Sequence, residues 1–238
     1  VELDELLTVN LGAVIAIAGV SGGDVSGNLN ITNDDTATIS IEAASSVLEG
    51  DLGDSNVGQL VVTASNPVDT VVGYDFATAD GTAVGAAVPV VATDDYEVSA
   101  AAAQVFTGAK ADPLTQTISV NITGDDLVEL DETYTVNISN LVDGGHAVTF
   151  GNTTGTTTIL NDDAATVSIT DITVNENVGT ATLTVSLSTA VDADIDVDVV
   201  TQDGTAVDSA QGALASDYDA ASQAPLTFPS GTTSLTFD

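Results

Sequence analysis

The feature that most constrains how this 238-residue chain can fold is internal repetition. The run 32–41 recurs at 160–169, so that Asn33 returns as Asn161, 128 positions later. The Asp-Gly-Thr-Ala run that begins at Asp80 returns at Asp203, 123 positions later. A period of this length indicates that one structural unit is used more than once along the chain.

The repeats divide the chain into one complete unit and two incomplete pieces. We predict an N-terminal piece over 1–35, matching the last third of a unit, a complete central unit over 36–163, and a C-terminal piece over 164–238, matching the first two thirds. Thr233 to Asp238 aligns with Gln116 to Asn121, and Val1 aligns with Val128. Joining the C-terminal piece to an N-terminal piece would rebuild a unit that lacks roughly six loop residues.

Incomplete units at both ends would expose strand edges and apolar faces unless something covers them. Two arrangements remain open from the sequence. The chain is a section of a long covalent array, or copies complete one another head to tail by strand donation. In both arrangements we expect the partners to be adjacent units or copies of the same protein.

The local pattern within each unit is alternation of apolar and polar residues. Leu183, Val185 and Leu187 alternate with Thr and Ser, and Val and Thr, both strand-forming residues, dominate such runs. Acidic turns such as Asp80-Gly81 separate the runs, and hydrophobic residues make up 43% of the chain, which is enough for a packed core. The sequence therefore predicts an all-β fold built from sandwiches.

The charge balance excludes several classes of function. The chain has 36 Asp and Glu residues against one basic residue, Lys110, for a net charge of −35. Such a surface repels nucleic acid and anionic membranes, and no apolar run approaches the ~20 residues that membrane insertion needs. The absence of Cys and the presence of a single His, His146, argue against thiolate or His-ligated metal sites and against an enzyme.

The order of the motifs resembles the Calx-beta repeat, which occurs in sodium/calcium exchangers, an integrin subunit and many large bacterial surface proteins. The resemblance extends over essentially the whole chain. The motifs that carry it are Val174 to Gly179, Thr78 to Ala83 with its repeat Thr201 to Ala206, Asp95-Tyr96, Phe228 to Gly231, Gly124 to Glu132 and Ile159 to Asp163. The resemblance implies tandem immunoglobulin-like antiparallel β-sandwiches with about seven strands per unit.

The resemblance also implies a Ca²⁺ site at one tip of each sandwich, formed by carboxylates from several loops. Ca²⁺ prefers six to eight oxygen ligands, and clustered carboxylates without a cation would repel one another. In the central unit the implied ligands are Glu49, Asp95, Asp125, Glu129, Glu132, Asp162 and Asp163. In the two pieces they are Glu176 and Asp217, and Glu2, Glu5, Asp34 and Asp35, which we expect to form a composite site between copies.

Two positions depart from the pattern of the metal-binding exchanger domains. Asn161 stands where those domains have the first of three Asp residues, and Gly124 stands where they have an acid before Asp125. Asn33 repeats the first change in the N-terminal piece. We therefore expect fewer ions or weaker binding than in those domains.

Other candidate residues favour structural roles. The stripe Asp192 to Asp198 resembles the start of an EF-hand loop, but Val197 occupies the position that needs Gly, so we predict the solvated face of a strand. We expect Asp80-Gly81 to be a turn and His146 to have no role in the site. Four aromatic residues at repeated positions are predicted to pack in the core or at the tip: Tyr96, Tyr134, Tyr218 and Phe228.

Taken together, these features predict a calcium-stabilised structural or adhesive segment of an extracellular or cell-surface stalk, filament or fibre. Two alternatives remain. One is a regulatory calcium sensor, in which binding shifts a conformational equilibrium, and the other is a non-catalytic accessory module of a secreted enzyme.

Overall fold

The computed structural model describes residues 1–12, 23–90, 93–108, 114–209, 216–219 and 225–238. Strands dominate these ranges, which also contain the three-residue 3-10 turn Glu176–Val178. No helix within them is long and apolar enough to cross a membrane. The all-β prediction is therefore confirmed. The strands are β1 Glu5–Asn10, β2 Ser26–Ile31, β3 Ala37–Ile41, β4 Ala44–Leu48, β5 Val57–Ala64, β6 Val72–Asp80, β7 Gly85–Ala86, β8 Tyr96–Glu97, β9 Ala100–Phe106, β10 Thr115–Asn121, β11 Glu132–Val142, β12 Val148–Phe150, β13 Thr154–Leu160, β14 Val167–Ile169, β15 Leu183–Leu187, β16 Ile195–Val197, β17 Leu226–Phe228 and β18 Ser234–Phe237.

The central unit is a sandwich of two sheets. One sheet has the order β10-β5-β3-β12 and the other the order β4-β13-β11-β6-β9. The first strand of the unit is divided into β3 and β4, and the last into β12 and β13, so each crosses from one sheet to the other. When these halves are counted together, the sandwich has the seven long strands that the resemblance implies, with β7 and β8 as a small additional pair.

The core lies between the two sheets and follows the alternation seen in the sequence. In β5, Leu60, Val62 and Ala64 are buried, while Gln59 and Thr63 are exposed. Tyr96 and Tyr134 are fully buried with stacked rings whose centroids are 4.6 Å apart. The predicted packing role is therefore confirmed for both tyrosines, and Phe228 is likewise fully buried in the C-terminal piece.

The two incomplete pieces contain only parts of this sandwich. In the N-terminal piece, β1 and β2 form an antiparallel hairpin in which every residue is exposed. In the C-terminal piece, β14, β15 and β18 form one sheet, β16 pairs with β17, and a small core surrounds Val185, Leu187 and Phe228. The division at residues 36 and 163 stays a prediction.

The register of β18 corrects the predicted alignment of the C-terminal piece. Phe237 lies opposite Leu183, as Ile118 lies opposite Leu60 in the central unit. Phe237 is thus the counterpart of Ile118, two positions earlier than the sequence alignment had placed it. A shift of two residues leaves each side chain on the same face of the strand, so the alternation pattern alone could not detect it.

Candidate metal centre

The seven acids predicted for the central unit converge at one tip of the sandwich because several strands begin or end there. The parallel strands β4 and β13 end together, with Leu48 opposite Leu160, so Glu49 follows one and Asp162 follows the other. The antiparallel strand β11 begins at the same edge, with Glu132 opposite Ile159. The acids that meet at this tip are Glu49, Asp95, Asp125, Glu129, Glu132, Asp162 and Asp163.

One group within this tip, which we call cluster A, consists of Asp95, Glu129 and Glu132. Each offers a carboxylate oxygen, and the three oxygens lie within 4.8 Å of one another. Burial, followed by the negative charge of neighbouring acids, raises the pKa of Glu129 to about 7. Burial, together with a side-chain hydrogen bond to Asp95, raises the pKa of Glu132 to about 7. Two carboxyl groups in hydrogen-bond contact need a shared proton or a cation.

A second group, cluster B, consists of Asp51, Asp126 and Asp163. Their oxygens also lie within 4.8 Å of one another. Asp163 Oδ2 is buried and has no hydrogen-bond donor, and burial and the nearby Asp162 raise the pKa of this carboxyl group. A buried oxygen without a donor is the environment that a bound cation would satisfy.

Asp51 and Asp126 are site residues that the sequence reasoning missed. The ligands implied by the resemblance included Glu49 and Asp125 from these two loops but not the neighbouring acids. A signal was present, because Asp51 lies two positions after Glu49 and Asp126 directly follows Asp125. Only the folded arrangement shows that both loops also direct an acid toward Asp163.

Glu49 links the two clusters. Glu49 is only 5% exposed, and its carboxylate has no hydrogen bond within the described residues. Burial, and then the charges of Glu129, Asp125, Asp163 and Asp162, raise its pKa to about 8. An acid held in this way is either protonated or neutralised by a cation.

The donor set fits a hard cation. Both clusters offer only carboxylate oxygens, and backbone carbonyl groups in the surrounding loops can add further oxygen ligands. Neither cluster contains a nitrogen or sulfur ligand of the kind that zinc or copper sites use. The residues present would therefore hold Ca²⁺, and the ion would supply charge neutralisation and cross-linking of the loops.

The structure explains both departures from the metal-binding pattern. Asn161 has a structural role, because its Oδ1 accepts a hydrogen bond from Glu129 N at 3.0 Å and its Nδ2 donates to Asp163 O at 3.0 Å. Gly124 packs so closely on Gly50 that a Cβ atom there would overlap the Gly50 carbonyl oxygen. No side chain fits at position 124 without a shift of the backbone.

The tip is also the joint with the C-terminal piece. Val128 N donates to Ala190 O at 3.0 Å, and Asp192 N donates to Val128 O at 2.9 Å. Thr189 Oγ1 donates to Asp126 O at 2.7 Å. The charge of Asp192 contributes to the raised pKa of Glu129. The loop that carries acids of both clusters is thus hydrogen bonded to the next unit.

The acids predicted for the two incomplete pieces do not join these clusters. Glu176 and Asp217 are exposed and line an open cleft in the C-terminal piece. The four N-terminal acids are exposed as well. Within the described residues, none of these six acids belongs to a group of three metal-ligating residues. The composite site between copies stays a prediction. The four N-terminal acids are Glu2, Glu5, Asp34 and Asp35.

The remaining candidates have structural roles. The stripe Asp192 to Asp198 was predicted as one face of a strand, but β16 includes only Asp196, which is exposed between Ile195 and Val197. Asp192 and Asp194 precede the strand and accept hydrogen bonds from Ser230. Asp80 lies at a turn, where its carboxylate accepts hydrogen bonds from Gly85 N and from Tyr96 Oη. His146 Nε2 lies 2.6 Å from Asp69 Oδ1, and His146 belongs to neither cluster.

Fold and site together define a tandem β-sandwich protein with an acidic tip able to hold cations. The Calx-beta domain model matches residues 32–165 and 161–238, and the chain therefore belongs to the Calx-beta domain family. No curated protein matches the sequence.

Among solved structures, the chain is similar to the apo form of the Calx CBD1 domain, with 21% identity over 54% of this chain and 100% of that one, and a TM-score of 0.43. It is also similar to CBD12 from CALX1.2, with 21% identity over 84% of this chain and 73% of that one, and a TM-score of 0.42. The calcium binding domain CBD12 of CALX1.1 matches with 22% identity, the same coverages and a TM-score of 0.42.

Proposed function

We propose that this chain is a calcium-stabilised structural segment of an extracellular or cell-surface stalk, filament or fibre, in which units stack head to tail. The observation that carries the proposal is the environment of Glu49. The residue is only 5% exposed, and the main charged neighbours of its carboxyl group are four other acids. Calcium at clusters A and B would remove this repulsion and hold the loops of the tip together.

The proposed task of the ion is mechanical. Loop 125–129 carries acids of both clusters and also makes the backbone hydrogen bonds to Ala190 and Asp192 of the next unit. Fixing this loop would limit movement at the joint, and repeated joints of this kind would stiffen an array. In this proposal the acids act as ligands and none is a catalytic residue.

The extracellular location is part of the proposal and is supported by the site chemistry. Asn161 and Gly124 reduce the number of charges, which lowers affinity for calcium. Extracellular calcium modules work with dissociation constants of about 10⁻⁴ to 10⁻³ M. A weak site of this kind would be filled outside the cell, where calcium is abundant. A large negative charge also keeps such a surface soluble.

Calorimetric titration with calcium tests the proposal. We expect the wild-type chain to bind calcium, and Glu132→Gln in cluster A and Asp126→Asn in cluster B each to weaken binding by about tenfold or more. The matched control is Asp24→Asn, an exposed acid far from either cluster in sequence. Absence of binding heat, or equal binding by all four proteins, would overturn the proposed role of the tip.

A further inference from the structure

The joint between the central unit and the C-terminal piece places an acid of the next unit beside cluster A. Asp192 N donates to Val128 O at 2.9 Å, and Val128 directly precedes Glu129 of the cluster. A parallel bridge between Val128 and Val191 aligns the two segments at this point. The backbone of Asp192 is therefore fixed next to the loop that leads to Glu129 and Glu132.

The same placement recurs where the N-terminal piece meets the central unit. Asp69 N donates to Val1 O at 3.1 Å. Asp69 lies 123 positions before Asp192, which is the offset of the Asp-Gly-Thr-Ala repeat, and Val1 is the counterpart of Val128. At both joints, therefore, an acid of the following unit is held beside the tip of the preceding one.

The segment that leads to each of these acids is also held in the same way. Ser65 Oγ accepts a hydrogen bond from Thr38 N, and Ser188 Oγ accepts one from Thr166 N, both at 2.9 Å. In return, Ser65 N donates to Thr38 O at 2.9 Å, and Ser188 N donates to Thr166 O at 3.0 Å. The position of the acid is thus a repeated feature of how one unit meets the next.

The side chain of Asp192 is close enough to act on cluster A. Burial is the largest cause of the raised pKa values of Glu129 and Glu132, and the charge of Asp192 adds to both. Such an effect requires the carboxylates to lie near one another. Asp192 is exposed, so an ion from solvent can reach its carboxylate. Ser230 Oγ donates to Asp192 Oδ1 at 3.3 Å, which restricts the orientation of the side chain.

Cluster A alone has too few ligands for the cation that it fits. Ca²⁺ takes six to eight oxygen ligands, whereas the cluster supplies three carboxylates. The buried Glu49 points independently to a cation here, because its carboxylate has no hydrogen bond within the described residues and its main charged neighbour is Glu129. Asp192 would supply a further carboxylate from the side of the joint.

We propose that Asp192 is the fourth carboxylate of the cation site at cluster A, so that a Ca²⁺ ion there binds groups of two consecutive units. Cluster B differs, because its three acids all belong to the central unit. The ion at cluster A would join the two units directly, whereas an ion at cluster B would order the tip of one unit. The inference deepens the proposed function and rests on it, since it assumes calcium at the tip.

Calorimetric titration with Ca²⁺ tests this assignment in two backgrounds. In Asp126→Asn, in which cluster B is weakened, Asp192→Asn should lower the calcium affinity by about tenfold or more. In Glu132→Gln, in which cluster A is already weakened, the same substitution should change the affinity by less than about twofold, because both residues act on one ion. The control in both backgrounds is Asp198→Asn, an exposed acid of the same stripe, which should leave the affinity unchanged.

Terbium luminescence separates a ligand from a nearby charge. Tb³⁺ shares the preference of Ca²⁺ for oxygen ligands, and its luminescence lifetimes in H₂O and D₂O report how many water molecules are bound to the ion. In the Asp126→Asn background, Asp192→Asn should add about one bound water molecule, because water replaces the lost carboxylate oxygen. Asp198→Asn should add none. Weaker binding without additional water would mean that Asp192 acts only through its charge, which would overturn the assignment.

The assignment and the proposed function fail in different ways. If the wild-type chain binds no calcium, the proposed function is wrong and the assignment of Asp192 falls with it. If the wild-type chain binds calcium, and Asp192→Asn binds it with the same affinity and the same number of water molecules, only the assignment is wrong. The proposed role of calcium at the tip would then stand without a ligand from the next unit.

Discussion

At the scale of single residues, the acidic tip holds several carboxylates close together. Backbone N–H groups donate to Asp95, Asp125 and Asp162, whereas the buried Asp163 Oδ2 has no donor. Glu49 is the most buried of the predicted acids, and its neighbours are Asp125, Glu129, Asp162 and Asp163. Removing water from ionised carboxylates is costly unless a positive charge replaces it. The folded state without metal should therefore be sensitive to the charge on Glu49.

Glu49→Gln should stabilise the chelator-treated protein at pH 8.5 and reduce the gain from calcium. The amide removes one negative charge and can donate to the neighbouring carboxylates, which should raise the free energy of unfolding by about 1 kcal/mol or more. Chemical denaturation with and without calcium measures both effects. Glu42→Gln, at an exposed position, is the control and should change neither value. A destabilised Glu49→Gln protein with an unchanged calcium response would contradict this prediction.

The pH dependence of stability follows from the raised pKa values. Glu49, with a pKa of about 8, and Glu129 and Glu132, with pKa values of about 7, keep protons in the folded state that the unfolded chain releases near 4.5. This contribution to stability is complete below the unfolded pKa and is lost as the pH rises through the folded values. The melting temperature in chelator should therefore fall between about pH 5 and about pH 8.

Calcium should reverse that trend, because it binds the deprotonated carboxylates and its affinity rises with pH. Thermal melts at several pH values, each with calcium and with chelator, compare the two slopes directly. Parallel pH profiles in the two conditions would mean that these carboxyl groups do not take part in calcium binding.

The resemblance to the Calx-beta repeat implied seven acids of the central unit, and the fold brings all seven to one tip. Asp51 and Asp126 were missed although they lie beside predicted acids, because only the folded loops show that both carboxylates approach Asp163. The reason for Gly124 was also hidden, since it is the approach of the Gly50 backbone that excludes a side chain.

At the scale of secondary structure elements, alternation was sufficient to predict strands and a sandwich, because inward positions must be apolar. It was insufficient for register. In β18, Phe237 rather than Leu235 lies opposite Leu183, and a two-residue shift preserves the alternation. The division of the first and last strands of the central unit between two sheets was likewise absent from the pattern, because the pattern does not show which strand each half pairs with.

The joint between units offers a prediction at this scale. The amides of Val128 and Asp192, which are hydrogen bonded across the joint, should exchange with solvent more slowly with calcium than with chelator. The internal control is the amide of Gly151, which follows β12 and donates to Ile39 O in β3 of the same sheet. Its exchange should change less. Hydrogen exchange followed by NMR measures each amide separately. Unchanged exchange at Val128 and Asp192 would mean that calcium does not fix the joint.

At the scale of the whole molecule, a net charge of −35 opposes compaction, and the described fold concentrates part of that charge at one tip. Cations at the tip would offset repulsion where it is strongest, while acids such as Asp196 remain on the solvated surface.

The most direct test of the central claim is the melting temperature of the wild-type chain with calcium and with chelator. Binding to the folded state alone stabilises by about 2.7 kcal/mol when free calcium is a hundredfold above the dissociation constant. We predict a lower melting temperature in chelator, full recovery when calcium is restored, and a smaller difference in Glu132→Gln and Asp126→Asn. Identical melting temperatures with calcium and with chelator would contradict the claim that the acidic tip is a calcium site.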